Sequence, residues 1–198
     1  MSRAHARKTR RYEPSNNGSV LANTAKSVLV TAGVAAIANI GRKMVTQAPT
    51  AMARDWCEGL TREHEATLAA IDKLAATSAD HPQRRTVQLT ALKHMIGKHA
   101  LQEENVVYPM LRRSPEGGET FGDLHKDHGE VKAMLYELTE TDKADPAFDA
   151  TLRNLRDALE EHMREEEEVL FPALRERLSE AENRKLTRAM NMAGVMVA

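Results

Sequence analysis

A block of sequence occurs twice in the chain, 63 residues apart, and each copy sets a histidine and a glutamate where an amphipathic helix needs apolar side chains. The first copy reads His99-Ala-Leu-Gln-Glu103 and runs on to Tyr108-Pro109-Met-Leu-Arg112. The second reads His162-Met-Arg-Glu-Glu166 and runs on to Phe171-Pro172-Ala-Leu-Arg175. The segments upstream match at an offset of 64, Leu60-Thr-Arg-Glu-His64 against Leu124-His-Lys-Asp-His128. The repeating unit is therefore a helix pair. Each copy carries one histidine and, about 35 residues later, a His-x-x-x-Glu.

Four helical patterns cover residues 50–178, over about 52–76, 84–112, 121–139 and 147–178. They are separated by turn signals at Asp80-His81-Pro82, Ser114-Pro-Glu-Gly-Gly118 and Asp145-Pro146. Apolar residues recur every three or four positions, which predicts an all-α, up-down four-helix bundle. Aromatic residues make up only 4% of the chain, as suits an aliphatic helical core. Ser179-Glu-Ala-Glu182 reads as a capping box that opens a short C-terminal helix over 179–198.

The inward series shows where the polar residues fall. On the fourth helix it runs Leu152, Leu155, Leu159, His162, Glu166, Val169, Ala173. The second helix runs Leu92, Ile96, His99, Glu103, Val106, Met110, and the first and third contribute His64 and His128 in phase with Leu60, Leu68, Leu124 and Val131. Four imidazoles and two carboxylates thus point at one level of the bundle interior. A buried ionised carboxylate costs several kcal/mol unless compensated, and the inward series offers no lysine or arginine. Cations between the helices resolve this, because residues i and i+4 lie one above the other on a helix face. Imidazole with carboxylate suits iron, manganese or zinc. Six donors exceed one tetrahedral zinc and fit a dinuclear site. Cys57, the one cysteine, excludes a disulfide framework and reads as a small buried hydrophobe.

These motifs resemble the hemerythrin-like, or HHE cation-binding, domain family over about residues 56–178, including the aromatic-Pro after each His-x-x-x-Glu. The resemblance implies a bundle around two iron ions with an oxygen bridge, held by His64, His99, Glu103, His128, His162 and Glu166. Two departures from the oxygen carriers stand out. The carriers have two histidines four apart on the third helix, whereas His125 and His128 are three apart, so His125 is expected outside the ligand set. Their last acid lies five residues after the final histidine, at Glu167, whereas the internal repeat favours Glu166. Tyr108 and Phe171 are expected beside the ligands, with the Tyr108 hydroxyl in reach of them. His5, His81 and His94 fall outside the constellation.

The resemblance implies binding, sensing or detoxification of O2, NO or peroxide; if the centre turns over, it consumes NO or peroxide. Alternatives are a module whose metal state controls a partner, and a zinc-stabilised structural bundle. A net charge of −1 gives no field for nucleic acid or an anionic membrane, and neither is expected as a partner. Residues 1–19, with five Lys or Arg and no apolar period, read as a disordered basic tail. Residues 20–48 read as an accessory small-residue helix that packs on the bundle, on a second copy or on a protein partner. Asn23, Lys26 and Asn39 interrupt it too often for a membrane span. Ala36-Ile37-Ala38 has the form of a signal-cleavage site, but the stretch before it is too long for a signal peptide. The expected location is the cytoplasm, with export or membrane-surface attachment of this helix as the alternatives.

Overall fold

The computed structural model describes residues 53–112 and 117–197. The basic tail expected over 1–19 and the accessory helix expected over 20–48 lie outside them. The described residues fold into five helices. The first, α1, is Trp56–Ala75. The second, α2, runs through Pro82–Gln102, Glu103–Val107 and Tyr108–Leu111. Next come α3, Gly117–Glu140, and α4, through Pro146–Glu165, Glu166–Leu170 and Phe171–Arg177. The last, α5, is Glu180–Val197. No described helix is long and apolar enough to cross a membrane.

Local chemistry sets the helix ends. Asp55 caps α1 by accepting from the Glu58 N–H (3.0 Å), and Asp145 caps α4 by accepting from Ala147 (2.8 Å). Pro82 and Pro146 occupy first-turn positions, where the missing N–H costs nothing. The capping box at α5 forms, with Glu182 N–H donating to Ser179 Oγ (3.3 Å) and Ser179 N–H to Glu182 Oε2 (2.9 Å). At 18 residues, α5 is the C-terminal helix expected from this box. Each of α1 to α3 packs on its successor and α1 closes on α4, as an up-down bundle requires, while α5 lies against α1 and α2.

Both α2 and α4 contain one π-helical turn, and each begins at the glutamate of its His-x-x-x-Glu. Tyr108 N–H bonds to Glu103 O and Phe171 N–H to Glu166 O, five residues back. Pro109 and Pro172 follow directly. A proline inside a helix has no N–H for the ladder and its ring crowds the carbonyl four residues earlier, and a widened turn relieves both. The extra residue rotates everything downstream by about one position. The inward series expected after the glutamates (Val106, Met110, Val169, Ala173) is therefore displaced. Val107, Tyr108, Leu111, Phe171 and Leu174 are buried instead, and Val169 is 57% exposed.

The core forms two apolar clusters separated by the polar layer. One holds Ile71, Leu92, Ile96, Leu135, Phe148 and Leu155 at the end where α1 turns into α2. The other holds Trp56, Leu60, Tyr108, Phe171, Leu186 and Met190, and α5 completes it. Trp56 ties α5 down: its backbone N–H donates to Thr187 Oγ1 (3.1 Å) and its indole N–H to Asn183 Oδ1 (2.9 Å). Cys57 is only half-buried against this cluster, so it is not the enclosed small hydrophobe expected. Leu155 is fully buried in the first cluster, remote from the polar layer. Leu155→Ala is expected to lower unfolding free energy by about 2–5 kcal/mol in urea titration while leaving metal content unchanged.

Candidate metal centre

The polar layer draws one histidine from each bundle helix and one glutamate from each π turn. His64, His99, His128 and His162 are all buried, and Glu103 and Glu166 are 0% exposed. His64, His99, Glu103 and Glu166 present donor atoms within 4.8 Å of one another, and Glu103, His128 and His162 do the same. Glu103 belongs to both groups. Its Oε1 lies 3.0 Å from His99 Nε2 and 3.8 Å from His64 Nε2, and its Oε2 lies 3.4 Å from His128 Nε2. Glu166 Oε2 sits between the groups, 3.4 Å from His64 Nε2 and 3.5 Å from His162 Nε2.

Every imidazole is oriented from behind by an acid. His64 Nδ1 is 2.6 Å from Glu167, His128 Nδ1 2.9 Å from Glu104, and His99 Nδ1 3.3 Å from Glu63. His162 Nδ1 is 3.3 Å from Asp127. A carboxylate at Nδ1 takes the N–H there and turns the Nε2 lone pair inward, which is how metal-binding histidines are held. The four Nε2 atoms face each other in pairs, His64 to His99 at 2.9 Å and His128 to His162 at 3.2 Å. Opposed lone pairs at such distances need a proton or a cation between them.

The carboxylates make the same demand. Glu103 Oε1 and Glu166 Oε2 are buried and receive no aligned hydrogen bond. Among the described residues, imidazoles and the Tyr108 hydroxyl face them, and no lysine or arginine pairs with either. Tyr108 O–H donates to Glu166 Oε1 at 2.6 Å. Burial and the charges of Glu103 and Glu166 push the phenol upward, so it stays a donor. A donor set of inward imidazole nitrogens and orphaned carboxylate oxygens fits divalent or trivalent cations.

The acids behind the histidines carry a signal in the sequence. Glu63 and Asp127 immediately precede His64 and His128, and Glu104 and Glu167 immediately follow Glu103 and Glu166, so the internal repeat pairs them. Glu167, weighed in the sequence as an outer-shell residue or alternative ligand, lies with its carboxylate at His64 Nδ1. His125 is exposed and lies at the edge of the Tyr108 ring, with centroids 5.9 Å apart. Lys98 breaks the repeat. It is buried and donates to Glu63 at 2.7 Å, whereas the matching position in α4 is the exposed Glu161.

Fold and site together define a helical bundle that binds metal in its interior. The chain belongs to the hemerythrin HHE cation-binding domain family, whose profile matches residues 58–174. It is 36% identical over 81 residues to a DNA nickase of Nostoc sp., covering 41% of this chain and 23% of that protein. An uncharacterized hemerythrin-like protein of Schizosaccharomyces pombe is 33% identical over 90 residues, 44% of each chain. An iron-sulfur cluster repair protein of Enterobacter sp. is 27% identical over 117 residues, 52% of each. The chain thus spans about a quarter to a half of the curated relatives it matches. A crystal structure of a hemerythrin HHE cation-binding domain-containing protein from Mycobacterium kansasii superposes with a TM-score of 0.65. Identity there is 21%, with 73% of this chain and 88% of that one covered.

Without metal, protons stand in for the cations. Burial lowers the His99 pKa, but Glu103 and Glu63 outweigh it and lift the ring to about 9. Burial likewise opposes the charge on Glu103, while His99, His128 and His64 hold it well below its usual range. A raised histidine contributes stability in full below its ordinary 6.5 and loses it as pH climbs through 9. A depressed carboxyl contributes above its ordinary 4.5 and loses that as pH falls. The metal-free chain should therefore melt highest between pH 4.5 and 6.5 and lower toward pH 9. Metal must displace these protons, so affinity measured against a competing chelator should rise across the same span. Asp127→Asn is expected to weaken metal binding about 10–100-fold, since it removes the acid that orients His162.

Proposed function

We propose that the chain is a di-iron protein that handles O2, NO or peroxide. In this reading His64 and His99 would hold one ion and His128 and His162 the other, with Glu103 and Glu166 available to both. The observation that carries it is Glu103, wholly buried and turning its two oxygens to different histidine pairs. Six donors satisfy two ions of higher coordination and are too many for a closed tetrahedral zinc. The iron-sulfur cluster repair protein among the relatives supports the choice of iron. The nickase likeness covers 23% of that protein, and a net charge of −1 gives the chain no overall field that favours DNA.

When bound, a ferrous pair supplies two electrons and Lewis acidity to a small ligand. The protein supplies the surroundings. Glu63, Glu104, Asp127 and Glu167 fix the imidazoles so that little reorganises when the charge at the centre changes. Tyr108 keeps its proton and holds Glu166 through Oε1, leaving Oε2 turned to the histidines. The two apolar clusters close the layer from both ends and limit water.

The deciding experiment is metal analysis with an optical spectrum of anaerobically reduced protein, then titration with O2, NO and H2O2. About two irons per chain with a ligand-sensitive spectrum is the expected result. A stable, reversible oxygenated band assigns carriage or sensing, and peroxide consumed over many cycles assigns an enzyme. Stoichiometric zinc, or no metal after expression with iron, overturns the proposal. His64→Ala and His162→Ala should each reduce iron content by about half.

A further inference from the structure

Two clefts reach the polar layer, and their chemistry is opposite. One lies between α3 and α4, has a volume of about 420 Å³, and is lined by Asp127, Glu130, Glu161 and Glu165 as it approaches His162. The other lies between α2 and α3, has a volume of about 290 Å³, and is walled by Gly97 and Ala100 on one helix and Val131 and Leu135 on the other. Its floor is formed by His99 and His128. These belong to different donor groups, so the cleft touches one histidine of each.

We propose that this apolar cleft is the entry and docking path by which a small neutral molecule of the O2 or NO type reaches the centre. The inference rests on the reading of the polar layer as a di-metal site. An apolar wall favours an uncharged, weakly hydrated diatomic over water and ions, and the volume suits one or a few such molecules. Gly97 keeps the path open. Gly97 is exposed and a Cβ built there meets nothing within 4 Å, so it stands at the mouth of the cleft, where a larger side chain has room to lie across it. Glycine is a poor residue inside a helix, and no positive φ calls for it at this position. Cross-helix contacts bracket the cleft at both ends. Lys93 donates to Thr139 Oγ1 (2.9 Å) at one end and Lys132 to Glu104 Oε1 (2.9 Å) at the other, both in exposed contacts, and these two lysines line the cleft around its apolar middle.

Two measurements on the full chain as purified test this. Crystals pressurised with xenon should show xenon between Gly97 and Leu135 in the native protein and none there in Gly97→Leu. Stopped-flow mixing of NO with the reduced, iron-loaded protein should show association at least about tenfold slower in Gly97→Leu, at equal iron content and equal or higher melting temperature. Ala158→Leu, on the acidic cleft, should leave the rate unchanged. An empty cleft under xenon, or an NO rate that Gly97→Leu leaves alone, overturns the proposal. So does a rate slowed by Ala158→Leu only. A chain that loads no iron sinks the functional reading by itself, and the xenon result still decides the cleft.

Discussion

Everything in this fold answers to two carboxylates with no solvent. Glu103 and Glu166 are wholly enclosed, and each keeps an oxygen without a hydrogen bond. Such a charge costs several kcal/mol unless compensated, and the only groups facing them among the described residues are four imidazoles and a phenol. Imidazoles compensate a carboxylate either by taking up protons or by sharing a cation with it. The bundle permits both, and the cation is the better partner because the Nδ1 side of every ring already belongs to an acid. The two apolar clusters then sit above and below a layer that repels itself when neither proton nor cation is present.

The internal repeat gives the layer an approximate two-fold symmetry. Acids from α1 and α3 stand behind histidines of α2 and α4, and acids from α4 and α2 stand behind histidines of α1 and α3. The symmetry fails in an informative way. Glu63 is buried and pinned by Lys98, whereas Asp127, its counterpart, is 37% exposed beside an acidic cleft. The halves differ in this one acid, whereas the acids behind His64 and His128 are both partly exposed.

The fold was legible because periodicity reports burial directly. The spacing of Leu152, Leu155 and Leu159 ahead of His162 requires a buried face whatever it packs against. The acids behind the rings were less legible, since Glu63 and Glu104 stand next to core positions and read as the rim of a solvated face. Their duplication in the repeat was the available sign. The π turns were hidden more deeply. Tyr108-Pro109 and Phe171-Pro172 marked a disturbance in the ladder, but a proline can kink, end or widen a helix, and neighbours on other helices choose among these. Val169 therefore faces water where the unbroken period placed it inside.

By itself the sequence determined an all-α bundle, a helix pair used twice, and the residues at one level of its interior, because hydrophobic period and internal duplication are properties of the chain alone. Tertiary structure decided which acid orients which histidine, how Glu103 divides its oxygens between two histidine pairs, and which seam between helices is left unfilled. Those outcomes depend on the rotation of one helix against another. A single π turn changes that rotation by a whole residue, and no local pattern carries it.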